Sequence, residues 1–126
     1  RVEENLLGAE EPLEVIATPD LTNVFQNLIA NAVYQMPGGG IIYINIERIE
    51  ENSIIVSIED TGKGIPDDIA ALIFLPISEK ETEGHGFGLP LIKAYIEWIG
   101  GKISTPVRGR NGKGAKFIIQ LKKHIR

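Results

Sequence analysis

The hydrophobic period of this chain changes from helical to extended across one short glycine turn, and that switch constrains the fold more than any other feature. From Leu21 the apolar residues fall at Val24, Phe25, Leu28, Ile29, Ala32, Val33 and Met36, the spacing of a helix with one core-facing stripe. Pro37-Gly38-Gly39-Gly40 ends it. Two stretches of period two follow, Ile42, Ile44 and Ile46, then Ile54, Val56 and Ile58, each reading as a strand with one apolar and one polar face. The chain therefore carries both a core-facing helix and strands with one apolar face.

The rest of the chain completes that pattern. Leu13-Glu14-Val15-Ile16-Ala17 reads as a short strand, broken by Pro19-Asp20, where Asp20 supplies an N-cap carboxylate for the long helix. Pro66-Asp67-Asp68 starts a short helix through Ile73, a loop runs from 74 to 88, and a helix from Leu89 to Ile99 stops at Gly100-Gly101. Two last strands, roughly 102–107 and 115–122, are joined by Gly109-Arg110-Asn111-Gly112. Phe25 and Trp98 read as core aromatics; Tyr95 reads as either core or surface.

With 126 residues, 43% of them apolar and 24% charged, the chain fits one globular domain, 1–126. A formal net charge of −4 argues against nucleic acid as a partner, because phosphate-backbone binding rests on a basic face. The chain has no cysteine, which excludes disulfides and thiolate metal sites and agrees with a reducing cytoplasm. Two scattered histidines do not make a zinc site. No apolar run approaches the ~18–20 residues of a membrane helix, and Arg1-Val2-Glu3-Glu4 does not resemble a signal peptide. A cytoplasmic domain with no direct membrane contact is expected, excised from a longer protein because it starts without Met.

The chemistry gathers where the second strand ends. Ser53-Ile54-Ile55-Val56-Ser57-Ile58-Glu59 runs into Asp60-Thr61-Gly62-Lys63-Gly64-Ile65, so one carboxylate stands at a strand end where an amino-group donor can reach it. Gly62 and Gly64 let the backbone approach a flat ring closely. Gly84-His85-Gly86-Phe87-Gly88-Leu89 opens the next helix, whose free N–H groups and positive end suit phosphate oxygens. Adenine at one end and phosphates at the other mean ATP.

On the long helix Asn23, Asn27 and Asn31 recur every four residues and share a face. Alone, such a face reads as solvated surface; beside Asp60 and the glycines, an amide oxygen on it can ligate Mg²⁺, which keeps waters and bridges substrate phosphates. Lys80 and His85 each read as a phosphate contact or a solvated loop residue. Gly38-Gly39-Gly40 and Gly100-Gly101 read as helix C-terminal turns rather than ligand sites.

In order, Asn27-Leu28-Ile29-Ala30-Asn31-Ala32, Asp60-x-Gly-x-Gly-Ile, Phe74-x-Pro and Gly84-x-Gly-x-Gly-Leu resemble the catalytic ATP-binding domain of sensor histidine kinases. That fold, the Bergerat type, also serves the gyrase, heat-shock-ninety and mismatch-repair ATPases. The resemblance covers the chain from about Leu13 to Leu121, and four motifs in the family's order are far more specific than one glycine triplet. It implies a two-layer α/β sandwich, a mixed sheet covered on one face by helices, with an ATP lid loop.

The resemblance also implies roles. Asn27 and Asn31 are the catalytic pair, Asn31 ligating Mg²⁺ and Asn27 supporting the phosphates, while Asp60 accepts from the adenine amino group. Tyr34, Gly62, Lys63, Gly64, Ile65, Lys80, Gly84, His85, Gly86, Phe87, Gly88 and Leu89 complete the nucleotide site. The segment Asn31 to Pro37 looks closest to the nitrogen-regulatory subgroup. Three positions depart from the pattern: Tyr34 stands where many relatives carry Lys, Arg, Gln or Glu, Ile77 where Phe is usual, and Ala115 where Thr is frequent.

Relatives that hydrolyse ATP themselves, and the anti-sigma serine kinases, carry Glu four residues before the Mg²⁺-ligating Asn, where it serves as a base. Here that residue is Asn27, and an amide takes no proton at neutral pH. The resemblance therefore implies phosphoryl transfer by positioning and electrostatics to a histidine that supplies its own nucleophile. Neither His85 nor His124 lies in a helical His-acidic pattern, so the acceptor is expected upstream, in a dimerising helical domain of the same polypeptide. A homodimer and a cognate response regulator are the implied partners. Two alternatives remain: a hydrolase or serine kinase of the same fold, opposed by Asn27, and a nucleotide-binding module that works by protein contact without transfer.

Overall fold

A computed structural model of the chain describes residues 2–5, 20–75 and 88–123. Strand β1 (Val2–Asn5) comes first; nothing in its short, acidic sequence announces it, and the strand expected at 13–17 lies outside the described residues. The stripe beginning at Leu21 folds as α1 (Asp20–Tyr34) and buries Val24, Leu28 and Ala32. The capping role expected of the Asp20 side chain also lies outside the described residues. Val33 is exposed, because five residues past Leu28 the helix has turned about 140° away from the buried line. After the turn at 37–40, strands β2 (Ile42–Ile49) and β3 (Ser53–Asp60) form the expected hairpin.

Two later elements are shorter or more broken than their sequence predicts. Helix α2 spans only Asp67–Ala70, and the chain continues to Leu75 through tighter i→i−3 turns such as Leu72 N–H to the Ile69 carbonyl. Helix α3 (Leu89–Trp98) and the turn after it match expectation. The strand expected over 102–107 divides into β4 (Lys102–Ile103) and β5 (Val107–Arg108). Pro106 lies in the gap, and a proline has no N–H to give to a ladder. Both pieces pair with β6 (Ala115–Lys122).

The strand order is β1-β2-β3-β6-β4, with β5 also on β6. Only β1 and β2 run parallel among these pairs, so the sheet is mixed. Its register sets Ile44 beside Ile58, Ile58 beside Phe117 and Val56 beside Ile119, lining the apolar residues on one face. Leu28 of α1 and Leu89, Ile92 and Ile96 of α3 pack onto that face in a single core. Full burial of each such side chain contributes about 1.5–3 kcal/mol. The architecture is the expected two-layer α/β sandwich with helices on one face.

Trp98 is not a core residue: it is 74% exposed. The buried line of α3 runs through Leu89, Ile92 and Ile96, and two residues beyond Ile96 the helix faces solvent. There Trp98 lies against Tyr95, ring centroids 6.3 Å apart. Phe25 is partly buried against the core, as is Phe74, whose ring meets Phe117 edge-on at 6.3 Å.

The other sheet face is polar, as expected, yet partly buried. Ser57 is fully buried and donates its hydroxyl to Glu47 at 2.7 Å. Lys116 pairs with the same Glu47 at 2.8 Å. These two donors, Lys116 foremost, hold the Glu47 carboxyl below its ordinary range.

Candidate nucleotide site

Three chain segments meet around Asp60, and each is held there by a specific contact. The first is the end of α1. Thr61 Oγ1 accepts the Ile41 N–H at 3.1 Å and donates to the Met36 sulfur at 3.5 Å, which ties the loop after β3 to the turn leaving the helix. Gly62 closes against the same helix end: a Cβ there would lie 2.6 Å from the Gln35 carbonyl oxygen, so only glycine allows the approach.

The second segment is the start of β6. Gly114 adopts φ +70, and a Cβ on it would overlap the Asp60 carbonyl oxygen. This contact is absent from the sequence-derived site, because it depends on the ladder that sets Lys116 opposite Glu59. The third is the Asp60 loop itself. Gly62 N–H donates to Asp60 Oδ1 at 2.8 Å and Ala115 N–H to the same oxygen at 3.3 Å. Ala115, which lacks the hydroxyl of a Thr, thus serves Asp60 through its backbone.

Asp60 is only 5% exposed. Burial pushes its carboxyl above the ordinary aspartate range, and the neighbouring Glu59 charge adds to this, while the Gly62 and Ala115 N–H groups oppose it. The sign follows for stability. A carboxyl whose folded pKa is raised costs the fold stability once pH climbs past its unfolded value. A buried anion kept at such a cost, with both donors on one oxygen, suits a ligand that supplies a hydrogen bond to the other.

On α1, Asn23 and Asn27 are exposed while Asn31 is half-buried. The Asn31 Nδ2 is buried with no hydrogen-bond partner among the described residues. A half-turn of the amide exchanges this atom with Oδ1, so one polar atom of Asn31 is uncommitted. Leaving such an atom unpaired costs about 1–3 kcal/mol, a cost that a ligand or metal recovers. No group of three or more His, Asp or Glu that could hold a metal occurs among the described residues. An amide working together with substrate phosphates fits a magnesium ion better than an all-protein cage.

Other expected site residues are placed as follows. Tyr34 ends α1 and is 60% exposed. Lys63, Gly64 and Ile65 line a cleft of about 320 Å³ together with Pro66, Arg108, Gly112 and Gly114, four residues outside the expected site. Ile65 also packs on the core, and Leu89 is fully inside it. Gly88 caps α3 in a left-handed conformation, φ 68. Lys80, Gly84, His85, Gly86, Phe87, Pro76 and Ile77, and with them the lid, lie outside the described residues.

The family of histidine kinase-, DNA gyrase B- and HSP90-like ATPases matches residues 17–125. The chain belongs to this family. Its relatives include the sensor histidine kinase ZraS of Salmonella typhimurium, 37% identical over 115 residues, which are 90% of this chain and 24% of that protein. The alginate biosynthesis sensor protein KinB of Pseudomonas aeruginosa is 33% identical over 117 residues, 91% of this chain and 19% of that one. The chain therefore spans about a quarter or less of these relatives' length. Among solved structures, the nucleotide-free catalytic domain of histidine kinase ThkA aligns with TM-score 0.78 at 29% identity, over 97% of this chain and 80% of that one. The mycobacterial sensor histidine kinase MprB aligns with TM-score 0.77 at 23% identity, over 99% and 83% respectively, which speaks for the fold. No helix among the described residues is long and apolar enough to cross a membrane.

Proposed function

We propose that this chain binds Mg-ATP and donates the γ-phosphoryl group to a histidine on a separate helical domain of the same polypeptide, as the catalytic part of a two-component sensor histidine kinase. One observation carries the nucleotide assignment: a buried carboxylate at the end of a central strand, with two backbone donors gathered on one oxygen. Asp60 accepts from the adenine amino group through Oδ2. Gly62 and Gly114 let the neighbouring backbone close on the Asp60 loop, which holds the carboxylate in place for the base. Asn31 would hold magnesium, which when bound would supply neutralisation of phosphate charge, and Asn27, one turn earlier on the same face, would support the phosphates. His85, Lys80 and the glycines 84, 86 and 88 complete the phosphate end.

Asn27 directs the reaction away from hydrolysis. It stands one helical turn before Asn31, where activation of water requires a carboxylate, and an amide provides no base. The nucleophile then comes from the partner domain, and this chain contributes orientation and electrostatics. The remaining partners follow: a second copy joined through the helical domain, and a response regulator that takes the phosphoryl group in the cytoplasm.

Asn31→Ala tests the metal role. ATP affinity measured with Mg²⁺ is expected to fall about tenfold or more, while affinity in excess chelator changes little, because only the first uses the amide oxygen. Equal losses in both conditions would remove Asn31 from the metal.

A further inference from the structure

The turn joining β5 to β6 carries a side-chain cluster that the nucleotide reading leaves unused. Glu59 precedes Asp60 on β3, and its side chain is 4% exposed. Its Oε2 accepts the backbone N–H of Arg110 at 2.6 Å, and the Arg110 Nε lies 3.5 Å from the same oxygen. The Arg110 guanidinium in turn sits 3.6 Å from the centroid of the Tyr43 ring on β2, a cation–π contact. A Cβ on Gly109 would lie 2.9 Å from Glu59 Oε2, so the turn is seated directly on this carboxylate. Five residues on, the same turn presses Gly114 onto Asp60 and delivers the Ala115 N–H to it.

We propose that Arg110 is a positioning residue for nucleotide binding, clipped to the buried Glu59 so that the 109–114 turn is held against Asp60. The clip rests on the assignment of Asp60 to the base. A buried carboxylate calls for a countercharge, and among the described residues Arg110 is the cation paired with Glu59. Lys116, opposite Glu59 on β6, is engaged by Glu47 on β2. Tyr43, opposite on β2, presents the ring that Arg110 covers. Lys63 and Arg108 line the cleft beside the turn. Glu59 and Asp60 are adjacent: the Glu59 charge pushes the Asp60 carboxyl up, while the Ala115 N–H that the turn delivers holds it down, so releasing Arg110 raises Asp60 on both counts.

ATP binding in the presence of Mg²⁺ is measured by calorimetry across an acidic to neutral pH series for the wild-type chain, Arg110→Gln, Arg110→Lys, Glu59→Gln and the Arg110→Gln/Glu59→Gln double variant, with melting curves for each. Ionisation of the nucleotide is common to all and cancels between them. Wild-type affinity is expected to fall as pH drops and Asp60 takes a proton. The midpoint of that loss should move up by roughly half a pH unit in Arg110→Gln, where the Glu59 charge is left unpaired and the Ala115 N–H is loosened. Glu59→Gln, which removes that charge as it loosens the turn, should move it less, and the double variant should match Glu59→Gln rather than add a further loss. Arg110→Lys, which keeps the charge, should retain the wild-type midpoint. A role confined to stability would lower melting temperatures and leave every midpoint in place. An unmoved midpoint in Arg110→Gln would overturn the clip. A wild-type chain whose ATP affinity ignores pH would instead overturn the Asp60 assignment, and the clip with it.

Discussion

Asp60→Asn is expected to weaken ATP binding by tenfold or more while leaving the melting temperature unchanged or slightly raised. The geometry sets both signs. Gly62 and Ala115 donate to Oδ1, so the oxygen of an introduced amide stays on that side and its NH₂ turns towards the base. There it meets the adenine amino group, donor against donor. Losing a hydrogen bond to a charged acceptor costs about 1.5–3 kcal/mol. The fold, by contrast, loses a buried anion whose carboxyl was already pushed up by burial, which relieves a desolvation cost. GTP, with an oxygen at the corresponding position, should bind poorly to the wild-type chain. Calorimetry with a parallel thermal melt decides: unchanged affinity in a normally folded variant would take Asp60 out of the site.

Gly114→Ala should be the most damaging of the glycine substitutions. Its φ of +70 is costly for any side chain, and the added Cβ would overlap the Asp60 carbonyl oxygen. A destabilisation of about 2–4 kcal/mol is expected, visible as a melting temperature lower by roughly 10 °C, together with loss of ATP binding. Gly112→Ala provides the control. Gly112 has φ +72 but open space around it, so its variant should lose only about 1 kcal/mol, the cost of the backbone conformation alone. Equal melting temperatures for the two variants would show that the contact with Asp60 is unimportant.

These two glycines mark how far the sequence could be read. Periodicity sufficed for α1, β2 and β3, because their apolar residues repeat with the period of the element that buries them, and glycine turns marked out α3 and β6. It failed for β1, whose short acidic strand gains its place from pairing with β2 rather than from any pattern of its own. It overlooked Pro106 as a strand break, and it buried Trp98 because a large aromatic in an apolar helix looks like core. At the site, Asp60 was legible as a carboxylate between a strand and a glycine turn. Gly114 and Arg110 were not, since their importance arises from a register that brings residues more than fifty positions apart into contact. Glu59 shows the same limit: alternation places it on the polar face, yet a turn from the far end of the chain buries it.

Phosphoryl transfer gives the most direct test of the proposed division of labour between this chain and a histidine-bearing acceptor domain. The chain is incubated with Mg²⁺ and γ-labelled ATP, alone and with the proposed helical acceptor domain added in trans. Alone, with Asn27 in place of a base, it is expected to label itself not at all and to hydrolyse ATP only at a trace rate. With the helical domain present, label should appear on that domain's histidine, acid-labile and base-stable, and slowly, because the tether that raises local concentration is missing. Robust hydrolysis by the chain alone, or ATP binding with no transfer to the added domain, would contradict the histidine kinase assignment.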